Sequence, residues 1–87
     1  MNIYNSPCNE MVETKIIEII QEKAGVQGEE ISLDAHLAND LGLDSLDAVE
    51  LILELENIFA ITISDEVAEQ IQTVRQAIEV VKTELNI

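Results

Sequence analysis

Residues 40–59 read DLGLDSLDAVELILELENIF, and the reading of this stretch decides the fold. Asp44 suits a helix N-cap, because a short carboxylate at a helix start accepts a hydrogen bond from an otherwise unpaired backbone N–H. Asp47, three residues on, completes a box-like arrangement. A helix is therefore expected with Ser45 at its first position and its end near Phe59. On a wheel of about 100° per residue, Ala48, Leu51, Ile52, Leu55 and Phe59 fall on one side and make a core face. The opposite side holds Asp47, Glu50, Glu54 and Asn57, a nearly continuous acidic stripe. Leu46, Val49 and Leu53 lie between the two faces, with Glu56 beside them. Apolar residues so placed either pack on a neighbouring element or form the centre of a docking surface, with a charged rim that meets a basic partner.

Working outward, Val26 to Leu43 form a long connection. Ile31, Leu33, Leu37 and Leu41 are spaced through it, so it is expected to be pinned to the core, and Ser32 and Asp34 are turn-forming residues. Before it, Val12, Ile16, Ile19 and Ile20 recur at helical spacing over about Glu10 to Ala24, and Gly25 stops that helix as a C-terminal cap. After Phe59, Ile61 and Ile63 form an extended link. Ser64 caps a short third helix, Asp65 to Ile71, with acids in its first turn. Thr73 caps a fourth, reaching about Leu85, with Val74, Ala77, Ile78 and Val81 on one face. Met1 to Asn9 read as a flexible N-terminal extension and 10–87 as the folded domain. The fold class is all-α: a small four-helix bundle, three main helices and one short one, with a long loop between the first and second.

Composition narrows the function. Hydrophobic residues make up 47% of the 87, enough for a core, and Tyr4 and Phe59 are the only aromatics, so that core is aliphatic. Four basic residues stand against eighteen acidic ones, a formal charge of −14. Such a surface repels nucleic acid, whose phosphates select Lys and Arg, and it repels anionic membranes. It attracts basic protein patches at long range. Cys8 is the single cysteine, so an internal disulfide is out of reach and a reducing compartment fits. With no apolar run long enough to span a bilayer and no secretory signal pattern, the expectation is a cytoplasmic protein, monomeric and without membrane insertion.

Ser45 taken alone is ordinary capping chemistry. The only histidine, His36, stands in the loop, and Gly-x-Ser-x-Gly is absent, so no hydrolase triad follows. Asp34, Asp40, Asp44 and Asp47 crowd one region without the alternating spacing, central Gly and twelfth-position Glu of a calcium loop. No nucleophile–base pair or phosphate-cradling loop is visible, so the chain is not expected to be an enzyme.

The segment Asp40-Leu41-Gly42-Leu43-Asp44-Ser45-Leu46-Asp47 nevertheless resembles the phosphopantetheine attachment motif of acyl carrier proteins, whose core is Asp-Ser-Leu. Val49-Glu50-Leu51, Leu55-Glu56 and Phe59 resemble that family's second helix. Residues Ile63 to Ile71 resemble its third, and Thr73-Val74 its entry to the fourth. The likeness spans about residues 11 to 85. It implies that a phosphopantetheinyl transferase moves a 4'-phosphopantetheine arm from coenzyme A onto the Ser45 hydroxyl, using magnesium. Acyl groups then ride on the arm's thiol as thioesters, in fatty-acid or related acyl biosynthesis. It also implies partners with basic docking patches: ketoacyl synthases, reductases, dehydratases and acyltransferases. In that reading Asp44, Asp47, Glu50, Glu54 and Glu56 dock them, with Leu46, Val49 and Leu53 as the apolar centre. The acyl chain is expected to shelter among Leu37, Leu41, Leu55, Ile63, Ala68, Ile71 and Ala77.

The chain departs from the family pattern at several places. Ser64 replaces a customary proline before the third helix. Asn57 and Ile58 stand where further acids are common, and Glu54 occupies a position often uncharged. The partner-facing charge is thus moved toward Ser45, which leaves general fatty-acid synthesis and a dedicated pathway both open. An amino-acyl or peptidyl carrier, or an unmodified helical adaptor, are the alternatives.

Overall fold

A computed structural model describes residues 9–25 and 31–87. Cys8, most of the expected extension and the first five residues of the long connection lie outside the described residues. The described chain is all-helical, in the order α1 (Asn9–Ala24), α2 (Ser45–Phe59), α3 (Asp65–Gln70) and α4 (Val74–Leu85).

Local chemistry fixes the helix ends. At α2 the Asp44 Oδ1 accepts from the Asp47 backbone N–H at 2.9 Å, and Asp47 Oδ2 accepts from the Asp44 N–H at 3.3 Å. This reciprocal box leaves two fewer unpaired donors at the helix start. Thr73 and Gln76 form the same box at α4, and Ser64 Oγ accepts from the Val67 N–H at α3. Gly25 follows α1 at φ +74, the left-handed turn a side chain disfavours. Ala60 ends α2 in the same region, φ 56, without a glycine's freedom. Two boundaries differ by a residue from the sequence reading. The first helix begins at Asn9, and α3 ends at Gln70 because Ile71 turns to extended backbone, φ −80 and ψ 104.

The core is aliphatic, as composition requires. Val12, Ile16, Ile19 and Ile20 of α1 meet Leu51 and Leu55 of α2 and Val74, Ala77, Ile78 and Val81 of α4, all buried. The helices α1, α2 and α4 pack on one another pairwise. The described part of the connection is pinned to α4 by backbone. Leu37 N–H donates to Gln72 O at 2.9 Å, Val74 N–H to Ala35 O at 3.2 Å and Arg75 N–H to Leu33 O at 2.8 Å. Gly42, at φ +75, then turns the chain so that Leu43 drops into the core immediately before the Asp44 cap. The loop thereby fixes where Ser45 emerges.

Candidate functional site

Ser45 is the first residue of α2, and it is exposed. The cap beside it is held by the two aspartates, and the Ser45 hydroxyl makes no hydrogen bond within the described residues. The side chain is therefore free for chemistry that the helix start does not need.

A groove opens from Ser45 between α2 and the α2–α3 link, with α3 on its far side. It holds about 570 Å³ of open space. Ala48, Val49, Ile52 and Leu53 form the α2 wall, and Ile63, Ala68 and Ile71 face them. Glu56, Asp65 and Glu69 stand along it. Apolar walls, a polar rim and a free hydroxyl at one end make a slot suited to a flexible aliphatic group.

The residues expected around an acyl chain divide. Ile63, Ala68 and Ile71 line the groove. Leu37, Leu55 and Ala77 are buried in the central core, and Leu41 packs against it half-buried. Two groove residues, Ala48 and Ile52, were indistinguishable from core on the helical wheel. Both are half-buried, as a wall between core and solvent must be.

The residues expected to dock a partner also divide. Leu46, Val49 and Leu53 are 65, 55 and 53% exposed, so none of the three packs into the bundle. Val49 and Leu53 belong to the groove wall as well. Asp44 and Asp47 work as the cap, with carboxylate oxygens still at the surface. Glu56 Oε2 accepts from the Ile63 N–H at 2.7 Å, tying the α2–α3 link to the helix. Glu50 and Glu54 share a cation from another helix: Lys23 Nζ of α1 lies 3.5 Å from Glu50 Oε1 and 3.1 Å from Glu54 Oε1. Sequence reasoning missed Lys23. Its one signal was a basic residue in the last turn of the first helix, which the helix dipole alone would explain.

An aliphatic bundle with an unengaged hydroxyl at the mouth of an apolar groove has the build of a carrier domain. The comparisons agree. The family described as "Phosphopantetheine attachment site" matches residues 14–81. An acyl carrier protein of Amoebophilus asiaticus is 49% identical over 74 residues, 85% of this chain and 92% of the relative. One of Chlorobium phaeobacteroides is 50% identical over 68 residues, 78% and 87% of the two chains. The crystal structure of an acyl carrier protein from Thermotoga maritima superposes with a TM-score of 0.76 at 31% identity, covering 90% of this chain and 91% of that one. The chain belongs to the acyl carrier protein family, and its function is to carry acyl chains on a 4'-phosphopantetheine prosthetic group. Proteins of this family are carriers rather than catalysts. They work with a phosphopantetheinyl transferase and with acyl-chain enzymes.

Proposed function

We propose that Ser45 is the attachment point, that the α2–α3 groove shelters the cargo, and that the outer face of α2 docks the partners. The observation that carries this reading is the exposed Ser45 hydroxyl, relieved of capping by Asp44 and set at the end of the apolar groove. The arm, when attached, supplies a terminal thiol that holds the acyl group as a thioester.

Attachment asks one thing of Ser45: its Oγ displaces adenosine 3',5'-bisphosphate from coenzyme A and keeps the phosphopantetheine phosphate. The hydroxyl proton needs a base. No described side chain hydrogen-bonds that hydroxyl, so the base belongs to the transferase. The new phosphodiester would stand at the positive end of the α2 dipole, which favours it, while Asp44 and Asp47 repel it.

The docking face combines Leu46, Val49 and Leu53 with the acids that flank them. Its apolar centre gives contact area, and its charge, part of a net −14, draws basic patches. Ketoacyl synthases, reductases, dehydratases and acyltransferases with such patches are the partners this surface suits. Residues 10–87 form the carrier domain in this reading, and it works as a cytoplasmic monomer and not as an enzyme. Among the described residues no helix is long and apolar enough to cross a membrane. Peptide mapping by mass spectrometry, after incubation with coenzyme A and a transferase, tests the assignment. The added mass is expected on the peptide that contains Ser45. Its appearance on a peptide without Ser45 would overturn the reading.

A further inference from the structure

The acids of α2 are not equally open to a partner. Lys23 forks between Glu54 at 3.1 Å and Glu50 at 3.5 Å, and its side chain is only 21% exposed, more sheltered than either carboxylate. Among the described residues it is the only base within ion-pair distance of α2: Arg75 pairs with Asp34, Lys82 with Glu13, and Lys15 with no described carboxylate. The hydrogen bond to Glu54, helped by the charges of both glutamates, holds the Lys23 pKa above its ordinary value against the cost of partial burial. The cation is therefore permanent at neutral pH.

We propose that Lys23 is a specificity-determining residue, which neutralises the Glu50–Glu54 part of the docking stripe and so steers cationic partners to the Asp44–Asp47 end, where Ser45 stands. The proposal rests on reading α2 as the docking face. A partner's Lys or Arg that approaches Glu54 meets a like charge and must compete with a cation already in place. Asp44 and Asp47 are paired with no base among the described residues. Along the helix axis Asp47 is about 3 Å and Glu54 about 13 Å beyond Ser45, at about 1.5 Å per residue. A basic group drawn to the first turn therefore brings its active site to the serine, whereas one seated on Glu54 does not. Lys23 acts through the glutamates and touches no reacting atom, so it is a positioning residue.

The test compares Lys23→Gln, Lys23→Arg and Lys82→Gln in the full chain, measuring the association rate with a purified phosphopantetheinyl transferase at low and high salt. Each Gln variant takes the formal charge from −14 to −15. Lys82 is a fair control because its partner Glu13 lies ten residues from Lys23, about 15 Å along α1. The expected result is that Lys23→Gln associates severalfold faster than Lys82→Gln at low salt. That excess should vanish at high salt, and Lys23→Arg should behave as the unmutated chain. In a Glu54→Gln background the excess should shrink. Equal acceleration by the two Gln variants would overturn the proposal, as would a Lys23→Gln chain that melts earlier without associating faster. If Glu50→Lys and Glu84→Lys weaken binding equally, the docking reading itself fails. If Glu50→Lys alone weakens binding while Lys23→Gln gives no excess, only the role of Lys23 fails.

Discussion

Lengthening the cargo measures whether the α2–α3 groove shelters it. The groove offers about 570 Å³ between Ala48, Val49, Ile52 and Leu53 on one wall and Ile63, Ala68 and Ile71 on the other. A methylene moved fully out of water contributes about 0.8 kcal/mol, and a groove open to solvent along one side covers roughly half of that, about 0.4 kcal/mol. Ordering the arm costs the same for every cargo, so it cancels between two chain lengths. Adding about four methylenes to a saturated cargo should then stabilise the folded carrier by about 1.6 kcal/mol. A domain of this size gains roughly 4–8 °C in melting temperature per kcal/mol, so Tm should rise by roughly 6–13 °C. Scanning calorimetry on carriers loaded with a graded series gives the slope directly. Ala68→Phe supplies the control, because its ring would occupy the groove and should abolish the dependence on length. A flat series in the unmutated carrier would refute the shelter. A slope that survives unchanged in Ala68→Phe would place the cargo elsewhere, for example among Leu37, Leu55 and Ala77 in the central core.

Charge reversal maps the docking face. Glu50→Lys should slow association with a transferase or synthase far more than Glu84→Lys, although both change net charge equally, and equal effects would remove α2 from recognition. Salt should weaken the unmutated complex, because exposed charges are screened beyond a Debye length of about 10 Å at 0.1 M. Val49→Ala should add a loss that salt does not alter, with little change in melting, since Val49 is 55% exposed. Ala60→Gly should stabilise the fold by about 1 kcal/mol, because Ala60 ends α2 at φ 56; urea unfolding with no gain would show that the left-handed cap carries no strain. Lys23 gives a pH signature. A lysine with a raised folded pKa contributes stability that is present below its unfolded value, about 10.4, and is lost as pH climbs through the folded value. The advantage of the unmutated chain over Lys23→Met in urea should hold at neutral pH and shrink in strong alkali. An advantage independent of pH would assign it to the packing of the lysine stem.

Caps and periodicity carried most of the fold. Asp44, Ser64 and Thr73 each precede a helix because each side chain accepts from a backbone N–H three residues on, a local event that sequence spacing records. The four buried positions of α1 and the four of α4 follow from spacing on a single helix. The groove was harder to read. Ala48 and Ile52 share the wheel sector of Leu51 and Leu55, and only the placement of the short α3 leaves the first pair facing open space. Spacing likewise does not divide the residues expected around the cargo: all are apolar, and only the packing sets Ile63, Ala68 and Ile71 on the groove and Leu37, Leu55 and Ala77 in the central core. Glu56 looked like one more rim acid, and its bond to the Ile63 N–H depends on how the link folds back. Lys23 meets Glu50 and Glu54 across 27 and 31 residues of chain, a pairing made by the α1–α2 packing and by nothing local.

The assignment of Ser45 is tested most directly by intact mass. Ser45→Ala removes one exposed hydroxyl that no described residue engages, and Asp44 keeps the cap, so stability should change by no more than about 0.5 kcal/mol. The variant and the unmutated chain are incubated with coenzyme A, magnesium and a phosphopantetheinyl transferase, and both are weighed by mass spectrometry after circular dichroism has confirmed their fold. The unmutated chain should gain one phosphopantetheine and the folded Ala variant none. A folded Ser45→Ala chain that gains the same mass would contradict the account.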